Sequence, residues 1–243
     1  SSAGPSPVQA VPARQPRKSA NRSQRERDMT TRVKICGLST RETVEAAIGA
    51  GADYLGFNFI ARSSRYVSCE TASTLAADMP STVAKVALTL DADNETLDAV
   101  VAALDPDILQ LHGAETPARL MELKSRYGLP LMKAIGISEP GDPESADIYR
   151  DSADLLLFDA KPPKSMAGAL PGGNGLVFDW SLIAGHRPGL PWMLSGGLNA
   201  ENVGEAVRIT GAEAVDVSSG VETAPGHKSP ELIEAFIKAA QAT

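Results

Sequence analysis

The feature that most constrains the fold is an alternation, repeated from residue 32 onward, between short runs rich in Val, Ile and Leu and longer segments of helical periodicity. Eight runs have strand length, at residues 33–36, 54–57, 83–88, 108–111, 131–135, 155–158, 192–194 and 214–217. Helical segments between them include residues 41–50, 95–104, 117–127, 200–210 and 230–240, with N-cap residues at Thr40, Thr116 and Ser229. This alternation predicts repeated βα units and a parallel sheet.

Repeated βα units in about 215 residues predict an α/β fold, a single (β/α)8 TIM barrel. Helices cover the outer faces of such strands, which explains why the strands are apolar throughout. An open, doubly wound sheet is the rival architecture. It lacks support because neither a GxGxxG loop nor a Walker loop follows the first strand. We therefore assign residues 31–243 to one catalytic barrel.

The N-terminal segment differs from the rest in composition. Residues 1–28 consist mainly of Ser, Pro, Ala, Gln and Arg, and too few large apolar side chains are present to offset the entropy cost of ordering. Met29 resembles a natural start, so residues 1–30 are interpreted as a disordered tail, an upstream extension or a cloning remnant. A transit peptide and a basic arm for RNA are alternative interpretations of the same residues.

Composition and charge narrow the classes of partner. The longest apolar stretches have strand length, well short of the roughly 18 residues that a membrane span requires. Cys36 and Cys69 are the only cysteines, too few for a disulfide framework or a Cys-rich zinc site, so a cytoplasmic location is expected. The first 28 residues carry +4 of a net charge of −7, so the remainder carries −11. Such an acidic body argues against nucleic acid as a partner.

Reactive groups in a βα barrel lie where the strands end and the βα loops begin. Cys36, Asp159 and Asp216 occupy such positions, although a cysteine at the end of a strand is often only a small buried apolar residue. Glycine-rich turns follow the seventh and eighth strands, and in this fold those two loops often bind phosphate through backbone amides. The predicted phosphate ligands are Gly196, Gly197, Asn199, Ser219 and Gly220.

A loop with two arginines, Arg62 and Arg65, follows the second strand. Guanidinium groups bind carboxylates with paired hydrogen bonds, so this loop is a candidate for an anionic part of the substrate. A single loop arginine is more often a solvated surface residue.

Eight short motifs occur in order along the chain: KICGLS at residues 34–39, GADYLGF at 51–57, SSRY at 63–66, QLHG at 110–113, FDAK at 158–161, FDW at 178–180, LSGGLN at 194–199 and VDVSSGVE at 215–222. Together they resemble the phosphoribosylanthranilate isomerase family of tryptophan biosynthesis. The resemblance covers residues from about 33 to 240 without a long insertion.

The resemblance implies an Amadori rearrangement, in which N-(5-phosphoribosyl)anthranilate becomes 1-(2-carboxyphenylamino)-1-deoxyribulose 5-phosphate. The family's general base corresponds to Cys36, its general acid to Asp159, and its arginine near the anthranilate moiety to Arg65. His112 and Asp216 are further candidate substrate ligands, although capping or packing also explains His112. This small-molecule phosphosugar-anthranilate substrate is the expected partner, with no cofactor, metal, nucleic acid or membrane, in a monomer or homodimer.

Two of these expectations depend on the local environment. A free thiol has a pKa of about 8.5 and a free aspartic acid about 3.9, so near neutrality each group is in the wrong protonation state for its role. The sequence leaves open the direction of the pKa shift of Cys36.

The loop at residues 161–175 is rich in Pro and Gly and is either a lid that closes over the site or a passive connection.

Two other functions fit parts of the pattern. A Schiff-base aldolase could use Lys34, Lys133 or Lys161, but it leaves Cys36, Asp159 and Arg65 without a role. A phosphometabolite-binding module with a basic arm would use the glycine-rich turns without any turnover.

Overall fold

Residues 30–161 and 178–243 are described by the computed structural model of the chain. Eight parallel strands close into a barrel in chain order, and β1 pairs with β8. Strands β1 to β8 span Arg32–Cys36, Tyr54–Asn58, Ala84–Thr89, Ile108–Leu111, Leu131–Ile137, Leu155–Ala160, Trp192–Leu194 and Ala214–Val217. The predicted (β/α)8 architecture is confirmed, and the pairing of β1 with β8 excludes the open sheet.

The connections between the strands are mostly helical. In the described residues, helices α1 to α6 span Arg41–Ala50, Cys69–Ala76, Asn94–Leu104, Pro117–Tyr127, Val203–Thr210 and Pro230–Gln241. Short 3₁₀ helices occupy Pro143–Tyr149, Trp180–Leu182 and Ser219–Val221. A small antiparallel hairpin, β9 (Glu222–Ala224) and β10 (His227–Lys228), follows the last of these.

The helix starts follow their capping residues. Thr40, Thr116 and Ser229 each accept a hydrogen bond from a backbone amide in the first turn of the helix that follows, as predicted. The helix predicted over residues 200–210 begins later, at Val203. The cause is local, because the side chains of Asn199 and Asn202 accept hydrogen bonds from backbone amides of the turn at 2.8 Å and hold it out of the helix.

The barrel interior is filled by an apolar plug that draws one side chain from each of six strands. Its buried members are Val86, Ile108, Met132, Leu157, Met193 and Ala214. A larger apolar core lies between the strands and the surrounding helices. Because side chains alternate between the two faces of a strand, the residue two positions beyond a plug residue also points inward, one layer nearer the mouth. By this alternation, Gln110, Asp159 and Asp216 point inward at the carboxyl end of the barrel.

Two predicted features lie largely outside the described residues. The predicted tail, residues 1–30, is described only at Thr30, and the loop predicted as a possible lid, residues 161–175, only at Lys161.

Leu157 tests the contribution of the plug to stability, because its side chain is fully buried inside the barrel. We expect Leu157→Ala to lower the free energy of unfolding by about 2–5 kcal/mol, through lost apolar contacts and a residual cavity. Urea denaturation followed by circular dichroism measures this change. Leu232→Ala is the matched control, since Leu232 is 37% exposed, and it should cost less than about 1 kcal/mol. Equal losses in both variants would contradict a packed interior.

Candidate active site

The two groups predicted to carry the chemistry lie at the same end of the barrel. Cys36 is the last residue of β1, and Asp159 is the penultimate residue of β6. Two strands, β7 and β8, separate β6 from β1 around the closed ring, so the thiol and the carboxyl group face the mouth from different sides. Both residues are 5% exposed.

Cys36 lies in an apolar pocket with room for its sulfur. Its buried neighbours in the pocket are Ile60 and Leu88. On the adjacent strand β2 stands Gly56, where a Cβ atom would lie 3.0 Å from the Cys36 Sγ and 3.2 Å from the Lys34 Nζ. Since those distances are shorter than ordinary van der Waals contact, glycine at this position leaves space for both side chains.

A buried ion pair lies beside the thiol. The fully buried Lys34 donates from Nζ to Oδ1 of Asp216 at 2.8 Å, and Ser195 Oγ donates to Oδ2 of the same carboxylate at 3.0 Å. Asp216 was predicted to bind substrate, but here each of its oxygens accepts a hydrogen bond from the protein. Burial would lower the pKa of Lys34, but Asp216 and Cys36 outweigh it and raise that pKa, so this lysine stays charged.

The environment of Cys36 determines the direction of its pKa shift, which the sequence left open. Burial raises the pKa of the Cys36 thiol above its ordinary value, and Asp216 adds to the rise. The cations Lys34 and Lys228 oppose it without overcoming it. Near neutrality the sulfur is therefore mostly a neutral thiol. Lys34 and Lys228 lie close enough to favour the thiolate electrostatically.

His112 and Asp159 meet directly on the other side of the mouth. The His112 Nε2 lies 3.3 Å from Oδ2 of Asp159, and the Ala160 amide donates to Oδ1 at 2.9 Å. These residues line an open cavity of about 640 Å³, which Arg62 and Lys161 also line. Lys133 also lines this cavity, and the three cations face the carboxylates of Asp91, Asp142 and Asp159 across it.

Arg65 is held by Glu222, which is held in turn by Lys228, and the sequence analysis assigned a role to neither. Its Nε and Nη2 donate to the two carboxylate oxygens of Glu222 at 2.7 and 2.8 Å, and Lys228 Nζ donates to Glu222 at 2.9 Å. Lys228 also donates to the Ser218 carbonyl at 3.0 Å, and Ser218 Oγ donates to the Cys36 carbonyl at 3.2 Å. The paired hydrogen bonds expected for a substrate carboxylate thus go to Glu222 on this edge of the guanidinium group.

The predicted phosphate loops approach one another closely. Gly196 and Gly197 adopt positive φ angles of +89° and +63°. A Cβ atom on Gly196 would lie 2.6 Å from the Ala160 amide nitrogen, and one on Gly220 would collide with the Leu198 carbonyl oxygen. Within the described part of the chain, the amides of Gly196 and Gly197 donate no hydrogen bond, which suits an anion cradle. The oxygen of the Asn199 side chain accepts from the amides of residues 201 and 202 instead.

Known proteins are similar to this chain in sequence and in fold. The sequence model of the family described as N-(5'phosphoribosyl)anthranilate (PRA) isomerase matches residues 33–239. The chain belongs to the phosphoribosylanthranilate isomerase family. Membership confirms the resemblance seen in the motifs and identifies the chain as an isomerase of tryptophan biosynthesis.

Individual members of the family match over most of the chain. N-(5'-phosphoribosyl)anthranilate isomerase of Parvibaculum lavamentivorans is 74% identical over 213 residues, covering 88% of this chain and 99% of that protein. The crystal structure of the Thermotoga maritima enzyme has a TM-score of 0.78 at 36% identity, covering 88% of this chain and all of that one. A structure of the isomerase in complex with reduced 1-(o-carboxyphenylamino)-1-deoxyribulose 5-phosphate is 35% identical, with a TM-score of 0.76 and the same coverage.

Family membership leaves several residues of the site to be recognised from the structure. Lys34 could have been recognised from alternation, since it stands two positions before Cys36 on the same strand. Lys228 and Glu222 lie on the β9–β10 hairpin, whose sequence signal is the Pro225-Gly226 turn.

Within the described residues, no helix combines the length and the apolarity needed to cross a membrane.

The raised pKa of Cys36 predicts how its reactivity depends on pH. We expect alkylation of Cys36 by iodoacetamide to rise with pH through a midpoint above the value of about 8.5 for a free thiol, since only the thiolate reacts. Peptide mass spectrometry of the Cys69→Ala variant between pH 6 and 10.5 follows this residue alone. The same variant unfolded in guanidinium chloride is the control and should give the ordinary midpoint. A folded-state midpoint at or below that of the unfolded chain would contradict the assignment.

Proposed function

We propose that this chain converts N-(5-phosphoribosyl)anthranilate into 1-(2-carboxyphenylamino)-1-deoxyribulose 5-phosphate, the third committed step of L-tryptophan biosynthesis. The single observation that carries the proposal is the arrangement of a buried thiol and a buried carboxyl group on different sides of one barrel mouth. Two groups in such positions can act on different atoms of one bound sugar. Family membership supports the same reaction.

The proposed rearrangement needs one acid and one base. Asp159 gives a proton to the furanose ring oxygen, the bond from that oxygen to C1 breaks, and C1 becomes a protonated Schiff base with the anthranilate nitrogen. Cys36, as the thiolate, removes the proton from C2, and the electron pair forms the enolamine. A proton then adds to C1 and the C2 hydroxyl becomes the ketone. C1 is reduced and C2 oxidised within one molecule, so no external oxidant or reductant takes part.

The buried cations support the base. A thiolate forming at Cys36 in an apolar pocket would be costly without compensation. Lys34 and Lys228 supply it, because each favours the thiolate electrostatically. Asp216 then acts by holding Lys34 beside the sulfur, a positioning role that the ion pair of 2.8 Å supports better than direct substrate binding.

Two anionic groups fix the substrate across the mouth. The phosphate binds to the amides of Gly196, Gly197, Ser219 and Gly220, with Asn199 shaping the turn before α5. The anthranilate carboxylate lies near Arg65, whose Nε and Nη2 edge is held by Glu222. The phosphosugar-anthranilate is the only partner proposed, and no metal, cofactor, nucleic acid or membrane has a role in the reaction.

The other assignments follow the same interpretation. Both cysteines are unpaired, which is consistent with the reducing cytoplasm as its location. The alternative of a Schiff-base aldolase is disfavoured, since Lys34 and Lys133 donate to buried carboxylates at 2.8 Å each and a Schiff base requires a neutral amine. A monomer and a homodimer both fit the barrel.

Substitution of the acid and the base tests the reaction. We expect Cys36→Ala and Asp159→Asn each to lower kcat/KM by roughly 10²–10⁴-fold, the usual contribution of a general acid or base. The assay follows the loss of fluorescence of enzymatically generated phosphoribosylanthranilate. Cys69→Ala is the control and should stay within about twofold of the wild type, since Cys69 lies on α2 and is only partly buried.

Two outcomes would contradict this proposal. Near-normal turnover by Cys36→Ala would remove Cys36 as the base. Anion binding by the wild-type chain without turnover at any pH near neutrality would instead support the phosphometabolite-binding module.

Arg65 provides a separate test of how the substrate is oriented. We expect Arg65→Met to raise KM by about 10–100-fold, the loss of one hydrogen bond to a charged group, and to weaken inhibition by anthranilate. Inhibition by ribose 5-phosphate should change little, because the phosphate binds elsewhere. Arg41→Met is the matched control, since that arginine is exposed on α1 and pairs with Asp78. Weaker ribose 5-phosphate inhibition with unchanged anthranilate inhibition would reverse the assignment.

A further inference from the structure

Behind Asp159 lies a buried amide that the proposed reaction does not use. Gln110 and His112 stand two residues apart on and just beyond β4. The Gln110 Nε2 lies 3.0 Å from the His112 Nδ1, and the His112 Nε2 lies 3.3 Å from Oδ2 of Asp159. Gln110 is fully buried and His112 is 9% exposed. The three side chains thus form one chain of contacts from the barrel interior to the mouth.

The orientation of the Gln110 amide fixes the position of the hydrogen on His112. When the NH₂ group faces Nδ1, that nitrogen must accept, so a neutral imidazole carries its hydrogen on Nε2 and donates to Asp159. The Ala160 amide donates to the other carboxylate oxygen. In this state both oxygens of Asp159 accept hydrogen bonds.

The opposite amide orientation favours a proton on the pair. When Oε1 faces Nδ1, it accepts a hydrogen bond from Nδ1–H. The Nε2 nitrogen then either accepts from a protonated Asp159 or carries the proton itself as an imidazolium beside the carboxylate. In both cases the His112–Asp159 pair holds the proton that the acid must deliver.

Apart from the contact with His112, the surroundings do not distinguish the two orientations of the Gln110 amide. The Oε1 atom of Gln110 is buried and has no hydrogen-bond partner in the described part of the protein. Reversing the amide would leave the NH₂ group in that position instead, so each orientation leaves one end of the amide without a partner. Because one end is unsatisfied in both cases, the contact with His112 is the main interaction that distinguishes them.

We propose that Gln110 is a positioning residue whose amide orientation is coupled to the hydrogen placement on His112, and that this coupling switches Asp159 between an acceptor and a proton donor. This inference rests on the proposed function, since it assigns Asp159 the role of acid. Gln110 acts through His112 and does not touch the substrate.

Most of the other charged groups around the pair are held in their own interactions. Arg62, Asp91, Lys133, Asp142 and Lys161 line the same cavity. Asp91 Oδ1 accepts from the Ala114 amide, Lys133 donates to Glu115 at 2.8 Å, and Lys161 lies 3.7 Å from Asp142. Among the described residues none of these five hydrogen-bonds to Gln110, so its substitution changes the contact with His112 directly.

The experiment compares the full-length wild type with Gln110→Glu and Gln110→Met. Long-range ¹H–¹⁵N NMR of the histidine side chains reports which ring nitrogen is protonated, and a His112→Asn sample identifies the His112 signals among the three histidines. In the wild type without substrate near pH 7.5, we expect an unprotonated Nδ1 and a protonated Nε2. Gln110→Glu places a carboxylate, which can only accept, against Nδ1, so we expect Nδ1 to be protonated in that variant.

Turnover gives the second readout. We expect Gln110→Met, which has similar volume and no amide, to lower kcat by roughly tenfold or more while KM changes less than about threefold. An Nδ1–H tautomer in the wild type, or His112 signals that are the same in Gln110→Glu, would overturn the proposal. Wild-type kcat in a folded Gln110→Met variant would also overturn it. The NMR result does not depend on turnover, so a wild type without isomerase activity refutes the proposed function separately.

Discussion

The buried ion pair between Lys34 and Asp216 stands where the barrel closes. These residues are register partners in the pairing of β1 with β8, and their side chains meet at 2.8 Å with no exposure of Lys34 to solvent. Removing one partner of such a pair leaves an uncompensated buried charge and costs about 3–5 kcal/mol. The Nζ of the same lysine and the sulfur of Cys36 both lie against Gly56 on β2. One interaction therefore joins the two strands that close the barrel and holds a cation beside the thiol.

The mouth is divided into two polar networks above an apolar plug. On the β1 and β8 side, Lys34 and Lys228 are buried beside Cys36, and Glu222 links Lys228 to the arginine that faces the site. On the β4 and β6 side, Asp159 contacts a histidine whose other nitrogen faces an amide. In the first network two lysines partly offset the burial that raises the pKa of the Cys36 thiol, and in the second an imidazole lies against a carboxyl group. This division suits a reaction that needs a base and an acid at the same time.

Much of the fold could be predicted from periodicity and capping, because eight strands with flanking caps are local signals. Helix α2 was not among the named helical segments, because its sequence, CETASTLA, is only eight residues long and is rich in small residues. The site residues were predicted because they stand where the strands end, and the alternation of side chains explains why Asp159 points inward two positions after Leu157. The partners of those residues did not follow, because Lys34 and Asp216 are 182 residues apart and no spacing rule joins them. The pKa of Cys36 likewise depends on burial, which local sequence does not give.

The most direct test of the central claim is a crystal structure of this chain with the reduced product, 1-(o-carboxyphenylamino)-1-deoxyribulose 5-phosphate. The account predicts C2 of the sugar chain within about 3.5 Å of the Cys36 sulfur, which is the distance for proton transfer or attack. It also predicts the Asp159 carboxyl group beside the C4 oxygen and the phosphate against the amides of Gly196 and Gly197. A reversed ligand, with its phosphate at Arg62 and Lys161 and C2 turned away from the sulfur, would contradict it.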